Sequence, residues 1–380
     1  MSTNSAATPG TAWDAPFRAV DRASFIPARA WANDDSGRLR PIDRDTDPET
    51  WSNVVASDLP IVTQIDDGAT PWPEVRGQVS SSASQPSVVR TMLEALDVRD
   101  GQRVLEVGTG TGYNAALLAE RLGSANVTTV DVDPALVADA RASLTRVGYR
   151  PTVACADGLN GFPARAPYDR LICTASINVA GIPPAWLEQV APGGIILTPW
   201  GTDYHNGVLV RLTVHNGHSA SGSVVGDAAF MRLRAQRYPF GQAADMGEII
   251  EASTEARESS TTITPTEVAF GDGSFAVGMR IPDVQKSIAY DDPDTFELLV
   301  YHVDSRSIAT VNVSPEATAH GVYPVREIGP RSLWSEVTAA HDWWASLNRP
   351  ARTRFGLTVD GGQHYVWLDV DDRRFQWKSP

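Results

Sequence analysis

The chain has 380 residues, 32 basic and 46 acidic side chains, a formal net charge of −14 and 42% hydrophobic residues. This length suggests two domains, or one with a large extension. No basic stripe marks a nucleic-acid partner, and no apolar run reaches the roughly 18 residues of a membrane span. With only Cys155 and Cys173, no disulfide framework or cysteine metal site is indicated. Both lie in or beside apolar stretches and read as buried free thiols. The first residues have neither a basic start nor an apolar h-region, so no signal peptide is read. The expectation is a soluble, cytoplasmic protein.

Residues 1–20 are rich in Ser, Thr, Ala and Pro and read as disordered. Phe25-Ile26-Pro27 and Trp31 follow. Asp34 to Glu49 is acidic and poor in apolar residues, which reads as a loop or insertion. Leu59 to Val62 reads as a short extended piece. Val79-Ser80-Ser81-Ser82-Ala83-Ser84-Gln85-Pro86 suits neither helix nor strand, because serine hydroxyls bond nearby backbone and favour turns and caps. The helix after it shows Val88, Val89, Met92, Leu93 and Leu96 on one face. Two readings stand for the serines: an N-cap loop for that helix, or a hydroxyl-lined loop that grips a substrate carboxylate beside a cofactor.

Arg103 to Glu120, RVLEVGTGTGYNAALLAE, organises the rest. A buried strand, Val104 to Val107, runs into the turn Gly108-Thr109-Gly110-Thr111-Gly112 and then a helix from Tyr113 to Leu122. Strand, glycine turn and helix open a nucleotide-cradling βαβ unit, whose helix N-terminus offers unpaired N–H groups. A dinucleotide fingerprint needs Gly-x-Gly-x-x-Gly, and Tyr113 stands where its third glycine belongs. A P-loop needs Gly-Lys-Ser/Thr, which is absent. Val127 to Val130 reads as the next strand. It ends at Asp131, about 20 residues past the glycines, where such folds place the acid that holds ribose hydroxyls.

Ala135 to Val147 reads as a helix and Thr152 to Ala154 as a third strand, followed by Ala156-Asp157-Gly158, where the acid could bond an adenine amino group. Tyr168 to Ala175 reads as a strand, Pro184 to Val190 as a helix and Ile195 to Thr198 as a fifth strand. Val208 to Val214 and Ser221 to Val225 read as a hairpin. The pattern predicts an α/β doubly wound sheet with a C-terminal antiparallel hairpin. Ala243 to Thr262 is polar and acidic and reads as a linker or exposed helix. Strands are then expected at Phe296 to Val303 and Ile308 to Val313, a helix at Ser332 to Leu347, and a hairpin around Asp360-Gly361-Gly362. The histidines 205, 215, 218, 302, 341 and 364 lack metal-ligand spacing, so no metal is expected. Trp334, Trp343 and Trp344 read as core.

Glu106 followed by Gly-x-Gly-x-Gly resembles motif I of Rossmann-like methyltransferases that use S-adenosyl-L-methionine. Phe25-Ile26-Pro27, Ser82-Ala83-Ser84-Gln85-Pro86, VLEVGTGTGYNAALLA, Asp157-Gly158, Pro192-Gly193-Gly194 and Pro199-Trp200-Gly201 occur in order and resemble the protein-L-isoaspartate O-methyltransferase family over residues 21 to about 235. The resemblance implies S-adenosyl-L-methionine as cofactor, held by Glu106, Gly108, Thr109, Gly110, Gly112, Tyr113, Asp131, Asp157 and Gly158. It implies Ser84 as the active-site serine, with Ser82 in place of a threonine. Ser80-Ser81, where the family usually has glycine-glutamine, Trp200 and the acidic stretch depart from the pattern.

The expected organisation is a methyltransferase domain at 21–235, a linker at 236–262 and a C-terminal α+β module at 263–380. That module is similar to the extension of actinobacterial relatives that methylate ribosomally made peptides. This likeness implies an aspartate O-methyltransferase for a cyclised peptide, whose ester collapses to an aspartimide. General isoaspartyl repair and a non-catalytic cofactor-binding module are the alternatives. The expected partner is a peptide, with no nucleic acid and no membrane.

Overall fold

The computed structural model describes residues 11–34, 36–237, 256–292, 294–370 and 373–379. Two compact units interleave along the chain. The first holds residues up to 174 with 183–197 and 213–217; the second holds 175–182, 198–212 and 218 onward.

In the first unit, helix α1 (Asp14–Ala19) occupies residues expected to be disordered, with Trp13 and Val20 buried beside it. Residues 1–10 of that expectation lie outside the described residues. Strands β1 (Arg29–Asn33), β2 (Leu39–Asp43), β3 (Ile61–Ile65) and β4 (Val79–Ala83) form a sheet ordered β2-β1-β3-β4. The acidic stretch is therefore not a plain loop. Its acids fix the geometry: Asp34 closes the β1–β2 turn through Ser36 and Arg38 N–H groups, and buried Asp43 meets Arg29 at 3.2 Å. Asp47 caps helix α2 (Pro48–Ala56) by accepting from Thr50 N–H at 3.0 Å. The serine stretch is also a correction, since β4 is a strand paired with β3.

Helix α3 (Pro86–Leu96) buries Val89, Met92, Leu93 and Leu96. The βαβ core then follows as expected, with β5 (Val104–Val107), helix α4 (Tyr113–Leu122), β6 (Val127–Asp131), helix α5 (Pro134–Arg146), β7 (Thr152–Cys155) and β8 (Tyr168–Cys173). The two-residue β9 (Ile177–Asn178) belongs to the second unit. After helix α6 (Pro184–Gln189), β10 (Val190–Gly201) begins in the first unit. The parallel strands stand in the order β7-β6-β5-β8-β10. The order reverses between β5 and β8, and such a reversal opens a crevice at the strands' carboxyl ends. The Rossmann-like α/β fold is thus present. Cys173 is buried, but Cys155 is exposed at the end of β7, against the expectation of two buried thiols.

In the second unit, β10 ends beside β11 (Asn206–Asn216) and β12 (Ser219–Asp227). Strand β13 (Arg257–Thr261), helices α7 (Pro265–Ala269) and α8 (Gly271–Arg280), strands β14 (Gln285–Asp292), β15 (Thr295–His302) and β16 (Ser307–Val313), helix α9 (Pro315–His320), strand β17 (Tyr323–Ile328) and helix α10 (Leu333–Ser346) follow. The order β13-β17-β16-β15-β14 makes a five-stranded sheet. Its core joins Leu298, Val300 and Val311 to Leu333, Trp334 and Val337 of α10. Residues 257–261, expected as linker, are a strand of this sheet; residues 238–255 of that linker lie outside the described residues. The C-terminal strands β18 (Phe355–Asp360), β19 (Gln363–Val370) and β20 (Arg373–Lys378) do not close this small sheet. They extend β12, with Ser219 to Ser223 opposite Asp360 to Gly356.

No helix among the described residues is long and apolar enough to cross a membrane.

Candidate active site at the sheet reversal

The glycine turn leaves β5 where the sheet order reverses. Thr174, just past β8, holds it from the far side by donating its hydroxyl to Gly108 O at 2.6 Å. Gly110 has φ +49° and donates its N–H to Asp131 Oδ2 at 3.0 Å. A Cβ on Gly110 would stand 3.7 Å from Ser82 O. The fold therefore brings the serine stretch, the glycine turn and the acid ending β6 to one place. Ala156 N–H donates to Asp131 O at 2.9 Å, so Asp157 follows on the neighbouring strand end. Glu106, Asp131 and Asp157 thus lie on the adjacent strands β5, β6 and β7, at or near their carboxyl ends, where this class of fold binds its ligand.

Glu106 is fully buried. Its Oε1 accepts from Asn114 Nδ2 at 2.7 Å, whereas its Oε2 is buried with no partner. Burial raises its pKa to about 7. An unpaired buried carboxylate oxygen beside a glycine cradle is the group that a cationic ligand would offset. These residues therefore fit a ligand with ammonium, sulfonium and ribose groups.

Other expected site residues have structural partners. Thr109 is buried, with its hydroxyl 2.7 Å from that of Thr129. Gly112 has φ +88°, and a Cβ there would press on Ala140 and Leu144 of α5, so it permits helix packing. Tyr113 is buried against Phe25 and Phe17 at ring distances of 5.8 and 6.4 Å. Asp157 is exposed and caps a short 3₁₀ turn through Leu159 N–H, while buried Gly158 accepts from Trp186 Nε1 at 2.8 Å. Trp200 is buried, with its Nε1 donating to Val179 O, so it does not line an open pocket.

Ser84 follows β4, half-buried. No side chain of α3's own cap residue caps that helix; Asp58 does so from outside, accepting from Ser87 N–H at 2.8 Å. Arg22 was missed from the sequence. Its buried guanidinium donates to the carbonyls of Val55, Ser57, Leu59, Ala83 and Ser84 at 2.8 to 3.5 Å, clamping the serine turn to the end of α2. Only its place three residues before Phe25-Ile26-Pro27 could have drawn attention to it. Beside it lies a cleft of about 440 Å³ bounded by Phe17, Arg22, Trp51, Ser57, Pro86 and Tyr113. Among the described residues no cluster of His, Cys, Asp and Glu could hold a metal.

Residues 69–237 match the family model described as protein-L-isoaspartate(D-aspartate) O-methyltransferase. A protein-L-isoaspartate O-methyltransferase of Korarchaeum cryptofilum is 33% identical over 199 residues, half of this chain and 83% of that protein. The chain belongs to the protein-L-isoaspartate O-methyltransferase family. A Hyperthermus butylicus member is 38% identical over 165 residues, 41% of this chain and 66% of that one. Several curated members of the family are spanned to 59 to 66% of their length. A solved protein-L-isoaspartate O-methyltransferase aligns with 81% of this chain and 85% of its own, at 18% identity and a TM-score of 0.44. Strands β1 to β3 precede the family match, and everything after residue 237 follows it.

Proposed function

We propose that the chain is a carboxyl O-methyltransferase acting on an isoaspartyl residue in a peptide or protein. The observation that carries this reading is the meeting of the serine stretch with the glycine turn at the sheet reversal, in a chain of this family. The cofactor is S-adenosyl-L-methionine, which supplies an electrophilic methyl group when bound. Glu106, Asp131 and Asp157 would hold it, with the backbone of Gly108 and Gly110 as its cradle.

The nucleophile is the substrate's carboxylate, already ionised at neutral pH. No general base is needed, which agrees with a site built of hydroxyls and carbonyl clamps. The work of the chain is positioning. Ser82 and Ser84 orient the carboxylate without protonating it, and Arg22 fixes the backbone that carries Ser84. In the resulting ester, the next backbone nitrogen attacks the carbonyl carbon, methanol leaves, and a five-membered imide closes.

A peptide carrying isoaspartate and its normal aspartyl twin, incubated with full-length protein and S-adenosyl-L-methionine, test the reading. Methyl ester should form on the first only, and Ser84→Ala should lower turnover at least tenfold with an unchanged melting temperature. Absence of ester on both would sink it.

A second reading is favoured by the chain after residue 237, which lies beyond the family match. Here the substrate is an aspartate in a ribosomally made, cyclised peptide, and residues 263–380 recognise that peptide. Ester on such a peptide, with none on linear isoaspartyl peptides, would decide for it.

A further inference from the structure

The Ser80-Ser81 pair stands out in the sequence but takes no part in the chemistry above. Each serine has a partner on β3, and Ser80 Oγ also accepts from Asp67 N–H at 2.9 Å. Thr63 Oγ1 donates to Ser81 Oγ at 3.0 Å, and Ser80 Oγ donates to Gln64 Oε1 at 2.9 Å. The pairing of β3 with β4 runs Val62 to Ser82, Gln64 to Ser81 and Ile65 to Val79. An extra residue thus falls first on β3, at Thr63, and then on β4, at Ser80. Such bulges re-aim side chains, and they occur beside active sites.

The re-aimed side chain is Gln64. Its Nε2 donates to Asp133 Oδ2 at 3.1 Å, across 69 residues of sequence. Asp133 is buried, and its other oxygen caps α5 through Ala135 and Leu136 N–H groups. Asp133 N–H donates to Asp131 Oδ1 at 3.1 Å, and Asp131 Oδ2 takes the Gly110 N–H. A run of hydrogen bonds therefore joins Ser80, Gln64, Asp133, Asp131 and Gly110. One end is the strand that presents Ser82, and the other is the turn that would hold the cofactor. Gln64 and its strand lie before residue 69, where the match to the family model begins.

We propose that Gln64 is a positioning residue that ties the serine strand to the Asp131–Asp133 turn, so that the N-terminal sheet sets the affinity of the cofactor site. The inference rests on the cofactor reading above. A neutral amide is needed at this point. It must accept from Ser80 and donate to a carboxylate at once, and an amide carries the acceptor and the donor on separate atoms at every pH. A carboxylate in its place would face Asp133 with like charge until protonated.

The test uses the full-length protein, calorimetry with S-adenosyl-L-homocysteine and thermal unfolding without ligand. Gln64→Leu should weaken binding about tenfold, the loss of one hydrogen bond to a charged group, and raise the cofactor KM with little change in the peptide KM. Gln64→Glu should bind more weakly still at pH 8 and recover towards wild type near pH 5, where the introduced carboxyl carries a proton and can donate. Both variants binding as wild type, or weakening equally at both pH values in step with a lower melting temperature, would overturn the inference alone. A wild-type protein that binds no ligand would overturn the cofactor reading, and this inference with it.

Discussion

Glu106 holds a charge that its surroundings do not balance. Its pKa stands at about 7 rather than 4.5, so the folded chain takes up a proton that the unfolded chain releases. The group's contribution to stability is therefore best below about pH 4.5 and falls as pH rises to about 7. A cationic ligand reverses the preference. Cofactor affinity should rise across that range, with release of a proton, and Glu106→Gln should flatten the rise. Calorimetry at pH 5.5 and 8 checks this; parallel profiles for the two proteins would refute it. The glycines divide in a similar way. Gly110→Val places a branched side chain at φ +49° beside Ser82 O, and should abolish cofactor binding. Gly112→Ala meets Ala140 and Leu144 instead, and should cost about 1 to 3 kcal/mol of stability with binding intact. Urea titration and calorimetry together separate the two. The sequence shows both glycines in one motif but cannot divide their duties, because the division depends on α5, more than 20 residues away.

At the scale of elements, the strand, turn and helix around the glycines were legible because local pattern and long-range structure agree. Val104 to Val107 is buried on every side, and α4 keeps its apolar spacing. Strand β4 was illegible for the opposite reason. Serine has little preference for strands, and what holds β4 is a partner strand whose own hydroxyl and amide bond those serines. The acidic stretch misled in the same way, since its carboxylates serve a turn, an ion pair and a helix cap rather than a solvated loop. Arg22 joins these elements. Losing it would strand five buried or half-buried carbonyls at the end of α2 and around Ser84, while its own Nε is already unpaired. Arg22→Leu should cost about 3 kcal/mol or more, and should lower turnover beyond what instability explains. Arg22→Lys should restore little, because an ammonium has three donors and no planar fork. Chemical denaturation and turnover at a temperature where each variant is folded measure the two effects. Full recovery by lysine would show that charge, not the fork, matters.

At the scale of the whole molecule, the second unit holds residues from both before and after 235. It gathers 198–212 together with residues after 218. Trp200 packs its ring 6.0 Å from Phe275, and the Tyr204 hydroxyl donates to Val268 O at 3.1 Å. Strand β12 is paired along Ser219 to Ser223 by β18. A chain ending at Arg237 keeps every residue of the family match, which alone would suggest that it folds and binds cofactor. It would also expose Trp200 and Tyr204, each less than 2% accessible in the full chain, and leave β12 as a bare edge. Exposed large apolar surface and an unpaired strand edge promote aggregation. The shortened chain is therefore expected to be insoluble, or to lose its cooperative unfolding transition, rather than to survive as a small methyltransferase. Sedimentation and thermal unfolding of the two chains side by side decide this. A soluble, cooperatively folded chain ending at Arg237 that binds S-adenosyl-L-methionine as tightly as the full-length protein would show that the later strands are an accessory, and that the methyltransferase fold stands without them.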